Sequence, residues 1–309
     1  MGRDPSREAD FVSPEMHPIL PTAEPVLDVR PHEGEPTVLW RKFRRNRPAL
    51  LGAGLLGLFL LAALTAPIIS PADPFEQDLY HRLEPPSAEH LFGTDDFGRD
   101  ILSRVIHGAR ISLRIGLAAM GIALVLGTAI GLAAGYFGGA LDQVLMRLMD
   151  LFLAFPTILL AIGIVAILGP GLENAMIAVG LVAVPTYARL VRASTLSIRE
   201  KDYVQAVRAL GAGHGRVICF AILPNCMAPL TVQATLGLAT AILDAAGLSF
   251  LGLGAQPPAP EWGAMLSSGR ELILSAPWVL TFPGLAILLT VLALNLMGDG
   301  LRDTLDPKM

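Results

Sequence analysis

The sequence predicts an all-α membrane protein that crosses the bilayer six times. Of its 309 residues, 53% are hydrophobic and only 16% are charged, and the mean hydropathy is +0.56. The charged residues are crowded into a few stretches and leave long apolar windows between them. Because about 20 apolar residues cross a hydrocarbon core ~30 Å thick, these windows are candidate membrane spans.

Six charge-free windows define the candidate spans. They cover residues 48–72, 115–141, 151–172, 174–188, 217–243 and 272–298. All of them reach the length of a span except the fourth. Glu173 and Arg189 flank this short window, and a long side chain at a helix end can extend a span by placing its charge at the interface.

The basic residues predict the orientation of the chain, because short loops that carry Lys and Arg stay in the cytosol. Residues 70–100 contain eight acidic residues against two arginines, whereas residues 189–216 contain six basic residues against two acids. A basic cluster also precedes the first window: Arg41, Lys42, Arg44, Arg45 and Arg47. We therefore expect both termini in the cytosol, with the connections 70–114 and 251–280 outside.

These windows divide the chain into five predicted regions. Residues 1–39 are rich in proline and acid and are expected to form a disordered cytosolic tail. Residues 40–72 form the first transmembrane helix with its basic lead, and 73–110 form an external segment. Residues 111–303 form a five-helix core that includes the external segment 251–280, and 304–309 form a cytosolic tail.

A polar segment between the fourth and fifth windows predicts a short helix outside the bilayer. Ser197 and Glu200 have the S-x-x-E spacing of a capping box, and Gly211 provides a helix stop, so the helix is expected over residues 198–210. Its apolar positions recur at helical spacing and share one face: Tyr203, Ala206, Val207 and Leu210. Such a face can dock onto a cytosolic partner.

The sequence contains neither a phosphate-binding loop nor a histidine inside its apolar windows. Lysine occurs only at positions 42, 201 and 308, and none follows a G-x-x-x-x-G, so the chain has no phosphate-binding loop. All six histidines lie outside the apolar windows, which argues against a buried Ser-His dyad or a histidine metal site in the membrane. We predict no catalytic residue, no metal site and no cofactor bound by this chain.

A few residues are candidates for a pathway or gate through the membrane. Asp244, at the end of the fifth window, is either a solvated interfacial carboxylate or a polar anchor of a pathway or its outer gate. Pro156 and Pro185 lie inside the third and fourth windows, where each favours a kink that serves either gating or packing. A row of small residues favours close helix packing: Gly127, Gly131 and Gly135.

Three stretches resemble a known family. Residues 203–225, YVQAVRALGAGHGRVICFAILPN, match its EAA signature at Ala206, Gly211 and Leu223-Pro224. FGTDDFGRDILSRVIHGARISL at 92–113 and LSFLGLGAQPPAPEWGAML at 248–266 are similar to stretches of one branch. From Trp40 to Lys308 the chain resembles the inner-membrane permease subunit of a binding-protein-dependent ABC importer of the dipeptide, oligopeptide and nickel branch.

The resemblance implies a type I ABC importer permease fold in which the short cytosolic helix couples to an ATPase subunit. The implied contact set is Tyr203, Gln205, Ala206, Val207, Arg208, Ala209, Leu210, Gly211 and Pro224. This sequence departs from the family pattern in three places: Gln205 replaces the usual Glu, Val207 the second Ala, and Ala221 an Ile. These departures bear on which partner docks more than on whether one docks.

The resemblance also implies the partners. They are a second homologous permease, two ABC ATPase subunits that bind ATP and Mg, an extracytoplasmic substrate-binding protein and membrane lipid, with no nucleic acid. The expected location is the bacterial inner membrane. On the external side, we expect the binding protein to dock on loop residues: Asp95, Asp96, Phe97, Arg99 and Trp262.

Together these features predict a permease that forms half of the transmembrane pathway for di- or oligopeptides. A permease for nickel or another small solute is the alternative within the family. An ion-coupled carrier would instead show acids near midspan and an inverted repeat, and neither is visible. A membrane scaffold that uses the short helix to recruit a cytosolic partner is a further alternative.

Overall fold

The computed structural model describes residues 36–305, with side chains from residue 40. The helices of this part are α1 (Pro36–Arg45), α2 (Arg47–Ile69), α3 (Ile101–Phe137), α4 (Gly139–Leu153), α5 (Thr157–Leu168), α6 (Leu172–Arg199), α7 (Asp202–Ala209), α8 (His214–Phe250), α9 (Trp262–Gly269) and α10 (Trp278–Leu305). The predicted tails 1–39 and 304–309 fall largely outside the described residues.

Within residues 36–305, five helices are long and apolar enough to cross a membrane: α2, α3, α6, α8 and α10. Helices α4 and α5 form a sixth candidate only if they count as one span, since they meet at a bend of 95°. The window 151–172 therefore contains a bent pair of helices, in keeping with the kink that Pro156 favours. Pro156 lies at the break because it has no N–H to continue the helix. The predicted all-α, multi-span architecture is confirmed.

The fourth predicted span is longer than its charge-free window. Helix α6 runs through Pro185 and past two arginines. Arg192 pairs with Asp142 and Arg189 pairs with Asp150, and both acids lie on α4. Because each of these charges on α6 has a partner, the helix continues where the window ended. The same pairs tie α4 to α6.

Helix α3 begins earlier than predicted. The Asp100 carboxylate accepts a hydrogen bond from the Ser103 N–H at 2.7 Å and caps the helix, which starts at Ile101. Residues 101–110 thus belong to α3, and the predicted external segment 73–110 is corrected to the connection between Ile69 and Ile101. An N-cap aspartate satisfies the free N–H groups of a first turn, so Asp100 sets the boundary.

The centre of the fold is a close contact between α3 and α6. Gly127, Gly131 and Gly135 of α3 face α6. A Cβ at Gly131 would lie 2.5 Å from the Ala188 carbonyl oxygen and 2.7 Å from Val191 Cβ. Only glycine allows the two backbones to approach this closely, so the glycine row is a packing interface.

We predict that Gly131→Ala destabilises the protein by about 1–3 kcal/mol, because the added methyl group overpacks the α3–α6 contact. The matched control is Gly121→Ala on the same helix, where a Cβ meets no atom within 4 Å. Thermal unfolding in detergent measures both variants. Equal unfolding midpoints for the two would contradict the assignment.

Candidate functional site

The segment between α6 and the apolar part of α8, residues 200–224, is named here the coupling segment. Its helix is α7, which starts at Asp202 after Lys201 in an extended conformation. The predicted capping box is wrong, because α6 continues to Arg199 and Ser197 lies inside it. A residue with helical neighbours on both sides cannot act as an N-cap. The helix predicted over 198–210 is therefore shorter, Asp202–Ala209.

One face of α7 is anchored in the protein. Val204 is fully buried in a cluster with Ile198, Val217 and Ile222, and the partly buried Val207 packs against this cluster. Sequence reasoning missed Val204 and placed Val207 on the docking face. The sequence does contain a signal for this burial. Val204 and Val207 are branched aliphatic residues at i and i+3, and such a pair is a better candidate for the buried face than the small Ala206.

The opposite face of α7 is open. Tyr203 is 42% exposed and Leu210 is 88% exposed, and the remaining exposed members of the predicted contact set are Gln205, Ala206, Arg208, Ala209, Gly211 and Pro224. A large apolar side chain such as Leu210 is costly to leave in water unless another surface covers it. Apart from Val207, the predicted contact residues are therefore exposed, and those from Tyr203 to Gly211 lie on α7 or directly after it.

The coupling segment is braced against the end of α3. The Arg208 guanidinium lies over the Tyr136 ring at 4.8 Å from its centroid, and the Tyr136 hydroxyl is 2.9 Å from His214 Nδ1. Near the start of α7, Arg199 donates a hydrogen bond to the Gly135 carbonyl oxygen at 2.8 Å. These contacts join the coupling segment and the end of α6 to the end of α3.

A wide helical turn lies after α7, near the start of α8. Residues Val217–Ile222 form a π-helical turn within α8. Pro224 has no N–H to bond the preceding turn, and such turns accommodate a lost bond within a continuous helix. The Tyr203 hydroxyl donates to the Ala221 carbonyl oxygen in this turn at 3.3 Å, so α7 also contacts the start of α8.

We predict that Gly211→Ala loosens α7. Gly211 has φ +84°, a conformation that costs an L-residue about 1–2 kcal/mol. Hydrogen exchange of the α7 amides should become faster by roughly tenfold or more. Gly213→Ala is the matched control, since Gly213 has φ −66° and equally open surroundings. Unchanged exchange in Gly211→Ala would contradict this.

An apolar groove begins where the coupling segment ends. It has a volume of about 640 Å³ and lies between α2, α3, α8 and α10. Its lining runs from Leu223 and Met227 near the coupling segment to Leu117 and Leu238. This apolar groove is open to a solute, to lipid or to another subunit.

The predicted pathway residues lie away from this groove. Asp244 is half-buried on α8 and makes no hydrogen bond or ion pair with residues 40–305. Pro156 is exposed at the bend between α4 and α5, and Pro185 is buried inside α6. The structure does not gather these three residues into one site.

The external residues predicted to dock a binding protein are mostly internal. Asp95 and Arg99 are each only 5% exposed. Arg99 Nε lies 2.7 Å from Asp95 Oδ2, and Arg104 Nε lies 3.5 Å from the same oxygen. Asp95 and Arg99 therefore hold the loop together and are wrong as docking contacts. Asp96 stays partly exposed, and burial raises the pKa of its carboxyl.

Trp262 is also wrong as a docking anchor. It is fully buried, and its Nε1 donates a hydrogen bond to the Val105 carbonyl oxygen at 3.0 Å. The preceding Glu261 caps α9 by accepting hydrogen bonds from the N–H groups of Gly263 and Ala264. Burial raises the pKa of this carboxyl. Helix α9 thus lies against α3 with its tryptophan inward.

We predict a large loss of stability on truncating one of the two aromatic residues named as external anchors, and almost none on truncating the other. Trp262→Ala should destabilise the protein by about 3–5 kcal/mol, because it empties a buried site. Phe97→Ala should change stability by less than about 0.5 kcal/mol, because Phe97 is 42% exposed. Thermal unfolding measures both, and a stable Trp262→Ala variant would contradict the burial.

The fold and the exposed helix α7 define a class of protein: a multi-pass membrane subunit with a short exposed helix between two of its spans. Residues 127–309 match the family described as "Binding-protein-dependent transport system inner membrane component". Residues 38–86 match the "N-terminal TM domain of oligopeptide transport permease C". The chain belongs to the binding-protein-dependent inner membrane component family and is a multi-pass inner-membrane permease.

Several curated relatives are similar over most of their length. The chain is 53% identical over 270 residues to the dipeptide transport system permease protein DppC of Alkalihalophilus pseudofirmus, covering 87% of this chain and 89% of the relative. It is 54% identical over 276 residues to the di/tripeptide transport system permease protein DppC of Pseudomonas aeruginosa, covering 87% and 91%. For the dipeptide transport system permease protein DppC of Escherichia coli K12, the values are 52% over 276 residues, covering 87% and 92%.

A solved structure shares the fold. It shows inward-facing conformations of the MetNI methionine ABC transporter and matches with a TM-score of 0.55 at 21% identity, covering 66% of this chain and 97% of that chain. The predicted ABC importer permease fold is confirmed by this likeness.

Proposed function

We propose that this chain is the permease subunit of an ATP-driven importer and forms half of a transmembrane pathway for di- and oligopeptides. The observation that carries the proposal is the exposed face of α7, braced against α3 by Arg208 and Tyr136. The names of relatives at 52–54% identity support peptides as the solute class. Nickel or another small solute is the alternative.

In this proposal the energy comes from partner subunits. Two ABC ATPases bind ATP and Mg, and one of them receives α7 in a surface groove. ATP binding can shift the permease only through contacts that differ between its states. The braces from Arg208 to Tyr136 and from Arg199 to Gly135 are the contacts through which such a shift reaches α3.

The proposal places both termini in the cytosol and the 70–100 connection outside. A second homologous permease completes the pathway, and an extracytoplasmic binding protein delivers the solute. Phe97 and Asp96 are the members of the predicted docking set that remain open to that protein. In this proposal Asp244 is a polar residue of the outer gate. Pro156 fixes the bend between α4 and α5.

The direct test is reconstitution of the chain with its partners in proteoliposomes. ATP-dependent uptake of a dipeptide supports the proposal. Uptake of a nickel chelate in place of any peptide would favour the alternative solute. No ATP-dependent uptake of either would overturn the importer assignment.

We predict that Ala206→Glu releases the ATPase subunits. Ala206 lies on the open face of α7, and a charge buried at an interface without a partner costs about 3–5 kcal/mol. Copurification of the ATPases with the permease measures the loss. The control is Ala88→Glu, which adds the same charge at an exposed position of the 70–100 connection. Full ATPase retention by Ala206→Glu would count against docking through α7.

A further inference from the structure

Two arginines on α3 lie beside the candidate span α2, and their side chains have no partner among residues 40–305. Arg110 and Arg114 are both exposed and are separated by about one helical turn, so they share a face of α3. Neither makes a hydrogen bond or an ion pair with residues 40–305. An ionisable residue at membrane depth calls for a partner anion or water.

The contacts of α2 indicate how deep these arginines lie. The Ala72 N–H, just beyond the end of α2 at Ile69, donates to Ser103 Oγ at 3.1 Å, which marks where α2 ends relative to α3. Arg114 follows Ser103 by eleven residues, about 16 Å of helix at 1.5 Å per residue. Its backbone therefore lies well within the length of α2.

The arginines line a groove of their own. Arg110, Arg114 and their α3 neighbours enclose about 550 Å³ with Leu60, Ala63 and Leu64 of α2. Leu117 lines both this arginine groove and the larger apolar groove. The two grooves are therefore neighbours along α3, and the lining of the apolar groove contains no charged side chain.

Three other arginines on these helices have acidic partners within the chain. Arg189 and Arg192 of α6 pair with Asp150 and Asp142 of α4. Arg104, in the first turn of α3, forms an ion pair with Asp95. The Arg110 and Arg114 pair differs because residues 40–305 supply no anion for it, so any anion that it binds comes from outside the described chain.

We propose that Arg110 and Arg114 form the subsite that binds the carboxylate of a peptide as it moves through the permease. This inference rests on the proposed function and adds the group that is recognised. Two guanidinium groups on one helix face provide forked donors suited to a carboxylate. The adjoining apolar groove accommodates the side chains of the peptide. A lipid phosphate offers similar chemistry, so the test separates the two sources.

The test measures protection of a cysteine placed between the grooves. Leu117→Cys, in a Cys219→Ser background, is introduced into the complex with its partner subunits in nanodiscs of zwitterionic lipid, without nucleotide. Modification at position 117 is followed by mass spectrometry with dialanine or with its C-terminal amide. At about ten times its dissociation constant, dialanine should slow labelling by roughly tenfold, and the amide should not.

Arginine variants then locate the effect. Arg110→Gln and Arg114→Gln should each raise the dialanine concentration needed for protection by roughly tenfold, as expected for a lost charge-assisted bond. Arg114→Lys should retain part of the protection because it keeps the charge. Arg270→Gln, on an exposed external arginine, is the matched control, and copurification of the partners reports that each variant folds.

Three results would overturn the subsite. They are equal protection by dialanine and its amide, protection that survives both glutamine variants, and labelling that responds to added anionic lipid but not to dialanine. The last result would assign the arginines to a lipid headgroup. This assay measures binding, whereas the uptake assay measures transport. Uptake without protection would therefore reject the arginine subsite and leave the proposed importer function standing.

Discussion

The close approach of α3 and α6 is the constraint on which the rest of the structure depends. Gly131 and its two neighbours in the glycine row let the backbones meet where any side chain would collide. This contact holds the last turn of α3 next to the end of α6, and Arg199 bonds to Gly135 at that point. The brace of the coupling segment and the α3 face of the apolar groove both follow from it.

The coupling segment has two faces with different tasks. Val204 and Val207 fix α7 to the protein, while Tyr203 and Leu210 remain open. A helix held on one side moves as a unit with the helices beneath it, whereas a loop would absorb a displacement by local rearrangement. On the proposed function, this arrangement makes α7 a rigid link between an ATPase and α3.

The arginines discussed above fall into two groups, those with an acidic partner in the described chain and those without one. Arg189 and Arg192 of α6 pair with acids of α4, and these pairs tie α4 to α6. Arg110 and Arg114 have no such acid within the described chain. The two cases differ in role: the pairs of α6 join two helices within the chain, whereas Arg110 and Arg114 are proposed to bind an anion from outside it.

The sequence by itself determined the helical class, most of the spans, the stop at Gly211 and the presence of a polar helix between two spans. These features depend on local hydropathy and backbone preference, which neighbouring residues settle. Tertiary structure alone decided which side of each helix is buried. Trp262 and Asp95 proved internal, and Ser197 proved to lie inside α6. Burial depends on contacts with distant segments, such as Trp262 with Val105, and no local pattern encodes those contacts.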